Sequence, residues 1–183
     1  MYRALAYKAY KQNIDINEAN IAELLETTNI TYNDNKVFLD GENVENLIRN
    51  EEISTAASKI SSLKIVREKM VEIQRKIAKN KNVVLEGRDI GTIVFPDTEH
   101  KFFITASLEE RAKRRYEQLK LNNIKADYTN VINDMIKRDE NDSTRKFSPL
   151  KPAEDAILID TTNMDLNEVT KTIAQHIGGS NVL

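Results

Sequence analysis

The stretch Glu86 to Asp97, EGRDIGTIVFPD, decides how this chain is read. An apolar run, Asn82-Val83-Val84-Leu85, leads into Glu86 and predicts a strand. Gly87-Arg88-Asp89-Ile90-Gly91 then follows with no periodicity of its own. Two glycines four apart relax the backbone, and between them stand a guanidinium and a carboxylate. The pattern is that of a strand ending in a binding site. An ordinary turn with a surface ion pair is the alternative that the flanking sequence has to exclude.

Downstream, Lys101-Phe102-Phe103-Ile104-Thr105 reads as a buried strand, and Ser107-Leu108-Glu109-Glu110 reads as a capping box opening a helix. Arg111, Arg114 and Arg115 follow within little more than one turn. They are either a solvated face paired with Glu109, Glu110 and Glu117 or a cluster aimed at an anion. After a polar connector near Asn122-Asn123, a further helix carries Val131, Ile132, Met135 and Ile136 and continues into Arg138, Asp142 and Arg145. Spacings of four and three place these last three on one helical face. A carboxylate flanked by two guanidiniums can hold both forks toward an anion, an intrahelical ion-pair ladder being the competing reading. Ala156 to Asp160 predicts a last buried strand. Asp165 to Ile177 predicts an amphipathic helix on Leu166, Val169, Ile173 and Ile177, stopped by Gly178-Gly179.

Upstream, Met1 to about Gln12 and Asn17 to Glu26 predict helices. Asn29 to Tyr32 and Lys36 to Leu39, turning at Asn33-Asp34-Asn35 and ending before Asp40-Gly41, predict a small β hairpin. Glu42 to Arg49 predicts a helical turn on Val44, Leu47 and Ile48, and Ser54 to Ser58 is a small-residue segment. Leu63, Val66, Met70, Ile73 and Ile77 form the core stripe of a long helix reaching about Lys79. Arg67 lies one position past that stripe, where its stem can line the core and its head a cleft. Ser58 and Arg67 are about half a turn out of phase on one continuous helix, so both face one site only if the chain bends near Ser61-Ser62. Strands alternating with helices argue for a layered α/β domain with a mainly parallel sheet.

Composition narrows the chemistry. With 40 % hydrophobic and 31 % charged residues and a net charge of -2, the 183-residue chain has globular values and no general attraction for nucleic acid or anionic lipid. Aromatic residues for base stacking are scarce, which counts against a nucleic-acid module built on Arg111 to Arg115. There is no apolar run of membrane-span length and no signal-peptide core at Met1 to Leu5, so a soluble, cytoplasmic protein is expected. Cysteine is absent, and His100 and His176 lack any metal-ligand motif and are expected at the surface; no resident metal site is expected. Arg, Lys, Asp, Glu and Ser remain, the groups of phosphate recognition and phosphoryl transfer.

Taken in order, MYRALAY (1–7), VFLDGENVENLIR (37–49), AASKISSLKIVRE (56–68), EGRDIGTIVFPD (86–97), FFITASLEERAKRRYEQL (102–119), IKRDENDSTR (136–145), SPL (148–150) and DAILIDTT (155–162) resemble the bacterial cytidylate kinases, a branch of the nucleoside monophosphate kinases. The resemblance runs from Met1 to about Ile177. It implies transfer of the γ-phosphoryl group of ATP, with Mg²⁺, to CMP or dCMP. The implied fold is a P-loop kinase-like parallel sheet with flanking helices, in a monomer. Residues 1–12 and 62–183 would be kinase core, with a lid at about 111–125, and residues 13–61 a small β-containing monophosphate-binding insert. Carried over position by position, Arg3, Arg67, Arg138 and Arg145 look like the grip on the acceptor phosphate. Ser58, Arg88 and Asp89 look like readers of the cytosine edge, Asp142 like a sugar contact, and Arg111, Arg114 and Arg115 like lid arginines that neutralise the transferring group. Cytosine offers an amine donor to a carboxylate and acceptors to Arg or Ser, so Asp89 beside Arg88 suits it better than uracil.

The sequence departs from the family at two points. The family begins with a strand, a GxxxxGK[ST] loop and its helix. Glycines 41, 87, 91, 178 and 179 open no such loop here. The expectation is therefore an N-terminally truncated copy lacking the first strand and P-loop, in which family membership and catalytic competence of the isolated chain are separate matters. A non-catalytic CMP-binding remnant unable to bind ATP is the alternative. The second departure is Glu86 before GRD, where the family usually has Asp.

Overall fold

In a computed structural model, residues 1–33 and 36–178 are described, and their contacts divide them into two units. The first comprises Met1–Gly87 with Arg145–Pro149, and the second Arg88–Thr144 with Leu150 onward. The Asp34-Asn35 tip of the predicted turn and Gly179 lie outside the described residues.

The first unit holds the larger core. Helix α1 (Tyr2–Lys11) buries Ala4, Leu5, Ala6 and Ala9, small enough to let it lie close against α3 (Glu51–Ser61), which presents Ile53, Ala57 and Ile60. Helix α2 (Glu18–Glu26) is capped by the Asn17 side chain accepting from the Asn20 N–H, and α3 by Asn50 accepting from Ile53. Glu51 and Glu52 in the first turn of α3 complement its dipole. The small-residue segment at 54–58 is thus the middle of a capped helix.

Strands β1 (Ile30–Asn33), β2 (Lys36–Leu39) and β3 (Glu42–Asn43) form an antiparallel meander. Leu39 pairs with Glu42 across Asp40 (φ 50°) and Gly41 (φ 88°). Two successive positive φ angles make this a type I′ turn, the form that Asp-Gly favours. Buried Lys8 of α1 donates to the Thr27 carbonyl at 2.6 Å and pairs with Asp40 at 2.7 Å, tying helix to turn. The helical turn expected over Glu42 to Arg49 is present only after β3, where the Val44 carbonyl accepts from the N–H groups of Leu47 and Ile48; Glu42 and Asn43 pair with β2 instead.

Helix α3 stops at Ser61, and α4 (Lys64–Ala78) starts after an extended Leu63, so the expected bend near Ser61-Ser62 is present. The predicted strand at 82–85 is not. Those residues join no ladder, and Val83 and Val84 are exposed. Apolar β-branched residues make a strand only when a neighbour accepts their backbone groups, and none among the described residues does.

In the second unit, β4 (Phe102–Thr105) and β5 (Ile157–Asp160) pair in parallel, with Phe102 opposite Ile157 and Thr105 opposite Asp160. The parallel sheet expected of the α/β fold is present as this pair alone among the described residues. Both strands were expected to be buried. Instead Ile104 and Leu158 are exposed, and of the two strands only Ile159 is fully buried. A two-stranded sheet has too little covering structure to bury both faces.

Helix α5 (Leu108–Leu121) packs on α6 (Tyr128–Thr144) through Ala112, Leu119 and Val131, with Tyr116 edge-on to Tyr128. Ser107 caps α5 by accepting from the Glu110 N–H, but the predicted box is half made. The Ser107 N–H donates to Thr162 Oγ1, and Glu110 is engaged by Arg114. The complete capping box lies instead between Asp165 and Glu168, at the start of α7 (Leu166–His176).

Candidate functional site

Arg3, Ser58, Arg67 and Arg145 belong to the first unit. Arg3 donates from Nη1 to the Ile48 carbonyl and from Nη2 to Ser54 Oγ, both at 3.1 Å. Ser58 lies one turn beyond Ser54 on α3. Arg67, 4 % exposed, donates from Nη1 to the carbonyl of Ser61 at the end of that helix, and its guanidinium lies over the Tyr2 ring, 5.7 Å from the centroid. Two guanidiniums are therefore anchored seven residues apart on α3, about 10 Å along the axis at ~1.5 Å per residue, with Ser58 between them. Arg145 Nε donates to the Ser148 carbonyl at 2.5 Å, Ser148 having a φ of 51°.

Tyr2 and Ser54 escaped the sequence reading. Ser54 is one helical turn before Ser58, a spacing that could have flagged it. Tyr2 could be recognised only once α1 and α4 were seen to pack in one core.

The second unit holds the other residues. The EGRDIGTIVFPD stretch becomes a single π turn over Ile90–Val94, with the Asp89 carbonyl accepting from Ile93 and Val94 and the Ile90 carbonyl from Phe95. Asp89 is buried (6 % exposed). Arg88 Nε donates to Asp142 Oδ2 at 2.9 Å, the carboxylate buried and the guanidinium half exposed. Helix α6 ends at Thr144, and Asp142 takes a guanidinium from the 86–97 stretch. Sequence spacing cannot foresee an ion pair between residues 54 positions apart.

Arg138 sits in this field of charges. Burial first, then the positive charges of Arg88 and Arg115, push its guanidinium below the ordinary arginine range, while Asp142 and Asp139 oppose the shift. It remains a cation at neutral pH. Arg111 donates to the Ala106 carbonyl at 3.0 Å and to Asp139 at 2.6 Å. Arg88, Arg111, Arg115 and Arg138 thus share this region with the carboxylates of Asp139 and Asp142.

The three clustered arginines are not equivalent. Arg114 spends its fork on Glu110, on the hydroxyl and carbonyl of buried Thr161, and on the Met164 carbonyl. Arg115 makes an exposed hydrogen bond to Gln118. Glu86 is exposed, and no cluster of three or more His, Asp or Glu among the described residues could hold a metal ion.

A family model described as "Cytidylate kinase" matches residues 1–178. Similar curated proteins include cytidylate kinases of Caldanaerobacter subterraneus subsp. tengcongensis, 48 % identical over 97 % of this chain and 80 % of that one, and of Clostridioides difficile, 44 % identical over 97 % of this chain and 82 % of that one. The cytidylate kinase of Caldicellulosiruptor bescii is 45 % identical over 96 % of this chain and 80 % of its own length.

Proposed function

The chain belongs to the cytidylate kinase family, and we propose that its residues bind CMP or dCMP as the acceptor of the γ-phosphoryl group of ATP. The observation carrying this reading is the anchored pair Arg3 and Arg67 flanking Ser58 along α3. Such preset cations hold a phosphate with little loss of side-chain entropy. Arg138 and Arg145 complete the acceptor-phosphate grip. Asp89 accepts from the cytosine amine, Arg88 and Ser58 meet the ring acceptors, and Asp142 holds Arg88 and reaches the sugar.

An acceptor phosphate oxygen attacks the γ-phosphorus, and the bond to the bridging oxygen of ADP breaks. No side chain becomes covalently attached. Arg111 and Arg115 neutralise the charge on the transferring group, whereas Arg114, expected in the same role, is taken up by Glu110, Thr161 and Met164. ATP would arrive as its Mg²⁺ complex, a co-substrate whose metal is ligated mainly by phosphate oxygens. The residues assigned here are those of the acceptor side, and no GxxxxGK[ST] segment occurs in the sequence. No helix among the described residues is long and apolar enough to cross a membrane. A cytoplasmic location and a monomeric state are part of the proposal and rest on the family reading alone.

The test is calorimetric titration with CMP, dCMP, UMP and ATP-Mg, together with an assay of ADP release. Saturable binding that favours cytosine nucleotides, with CMP-dependent ADP release, is expected. CMP binding without ATP binding would reduce the reading to a non-catalytic acceptor pocket. No CMP binding would overturn it.

A further inference from the structure

Lys101 is 7 % exposed, an unusual place for an ammonium group. It stands just before β4, and its carbonyl accepts from the Ile157 N–H, beginning the register of the parallel pair. Its Nζ donates to the Pro96 carbonyl and, 2.5 Å away, to Asp155 Oδ2. Its stem lies along Gly91, where an added Cβ would come within 3.4 Å of Lys101 Cδ and 3.5 Å of Cγ. The 101 side chain therefore touches the 86–97 stretch at two points, its stem inside the π turn and its head beyond the turn's end. It also ties both points to the residues preceding β5. Asp155 is exposed, yet the Lys101 hydrogen bond holds its carboxyl below the usual carboxylate range.

A methionine would fill the same space without desolvating a charge, so packing alone does not account for a lysine here. The segment it braces is a lone π turn, a form with little stability of its own that is frequent at functional sites. We propose that Lys101 is a positioning residue that fixes the turn presenting Arg88 and Asp89, and so sets base selectivity without touching the nucleotide. This rests on the acceptor-pocket reading above.

The test compares the full chain with its Lys101→Met, Lys101→Arg and Asp155→Ala variants. Calorimetric Kd values are measured for CMP, UMP and ribose 5-phosphate, together with amide hydrogen exchange at Ile93, Val94 and Phe95. Lys101→Met is expected to lower CMP-over-UMP discrimination about fivefold or more, leave ribose 5-phosphate affinity within about twofold, and accelerate exchange at the three amides. Lys101→Arg, which can still donate to both acceptors, is expected to recover most of the discrimination. Asp155→Ala is expected to shift discrimination and exchange in the same direction by less.

Unchanged discrimination in Lys101→Met, or an equal loss for all three ligands, overturns the positioning role while leaving the acceptor pocket standing. If Lys101→Met does not fold, the exchange measurement on Asp155→Ala decides, and unchanged protection at the three amides overturns the proposal. Absence of CMP binding by the unaltered chain overturns the acceptor reading itself, and this inference with it.

Discussion

Arg88 and Asp142, 54 positions apart, form a 2.9 Å ion pair in which the carboxylate is buried and the guanidinium half exposed. The buried partner is fixed by its surroundings and the exposed one is aimed by it. Asp142→Ala should weaken CMP binding roughly tenfold, about 1.4 kcal/mol, by releasing Arg88. Asp142→Asn, which keeps an acceptor oxygen, should lose less. Calorimetry on both variants, with thermal unfolding to separate folding losses, checks the order.

Asp89 is buried beside that pair in sequence, at the start of the π turn. A carboxylate there accepts from the cytosine amine and repels the uracil carbonyl at the same ring position. Asp89→Asn carries both a donor and an acceptor, so the CMP-over-UMP preference should fall at least tenfold, mainly through tighter UMP binding. Equal weakening toward both nucleotides would remove Asp89 from base reading.

Ser54 supplies an acceptor that holds Arg3, alongside the Ile48 carbonyl. Ser54→Ala should cost about 1 kcal/mol of stability and weaken CMP binding a few fold, while Ser54→Thr, which keeps the hydroxyl, should restore both. Urea unfolding and CMP titration give the two quantities separately.

Burial acts to raise the Asp40 carboxyl, but hydrogen bonds from the Asn29 N–H and Lys8, with the Lys8 charge, outweigh it and hold the group below the usual carboxylate range. A carboxyl whose folded pKa is depressed adds stability above its unfolded value and loses it as pH falls through the folded one. Asp40→Asn tolerates the positive φ and should therefore flatten the decline in stability below about pH 4 while lowering stability at neutral pH. Thermal unfolding from pH 3 to 7 tests the slope.

Local rules carried much of the fold. The β1–β2 hairpin, the 3.6-residue stripe of α4 and the bend after Ser61 rest on interactions within a few residues, which a sequence displays directly, whereas the third strand at Glu42–Asn43 stood as part of an expected helical turn. Burial did not follow from pattern in the same way. Val83, Val84, Ile104 and Leu158 have strand-like neighbours, yet their exposure depends on what other parts of the chain cover them.

For the proposed site, sequence alone supplied the candidates: a guanidinium and carboxylate at Arg88-Asp89, a serine on a small-residue helix, and basic residues on the helices that follow. Residue type and order are properties of the chain and need no fold. Only the tertiary structure decided the partnerships: Asp142 with Arg88, Arg114 spent on the end of β5, Arg67 reaching back to Ser61, and Lys101 buried beneath the π turn. Each joins groups whose meeting depends on how whole elements pack, and on which charge is desolvated and must be hydrogen-bonded. No local spacing encodes either condition.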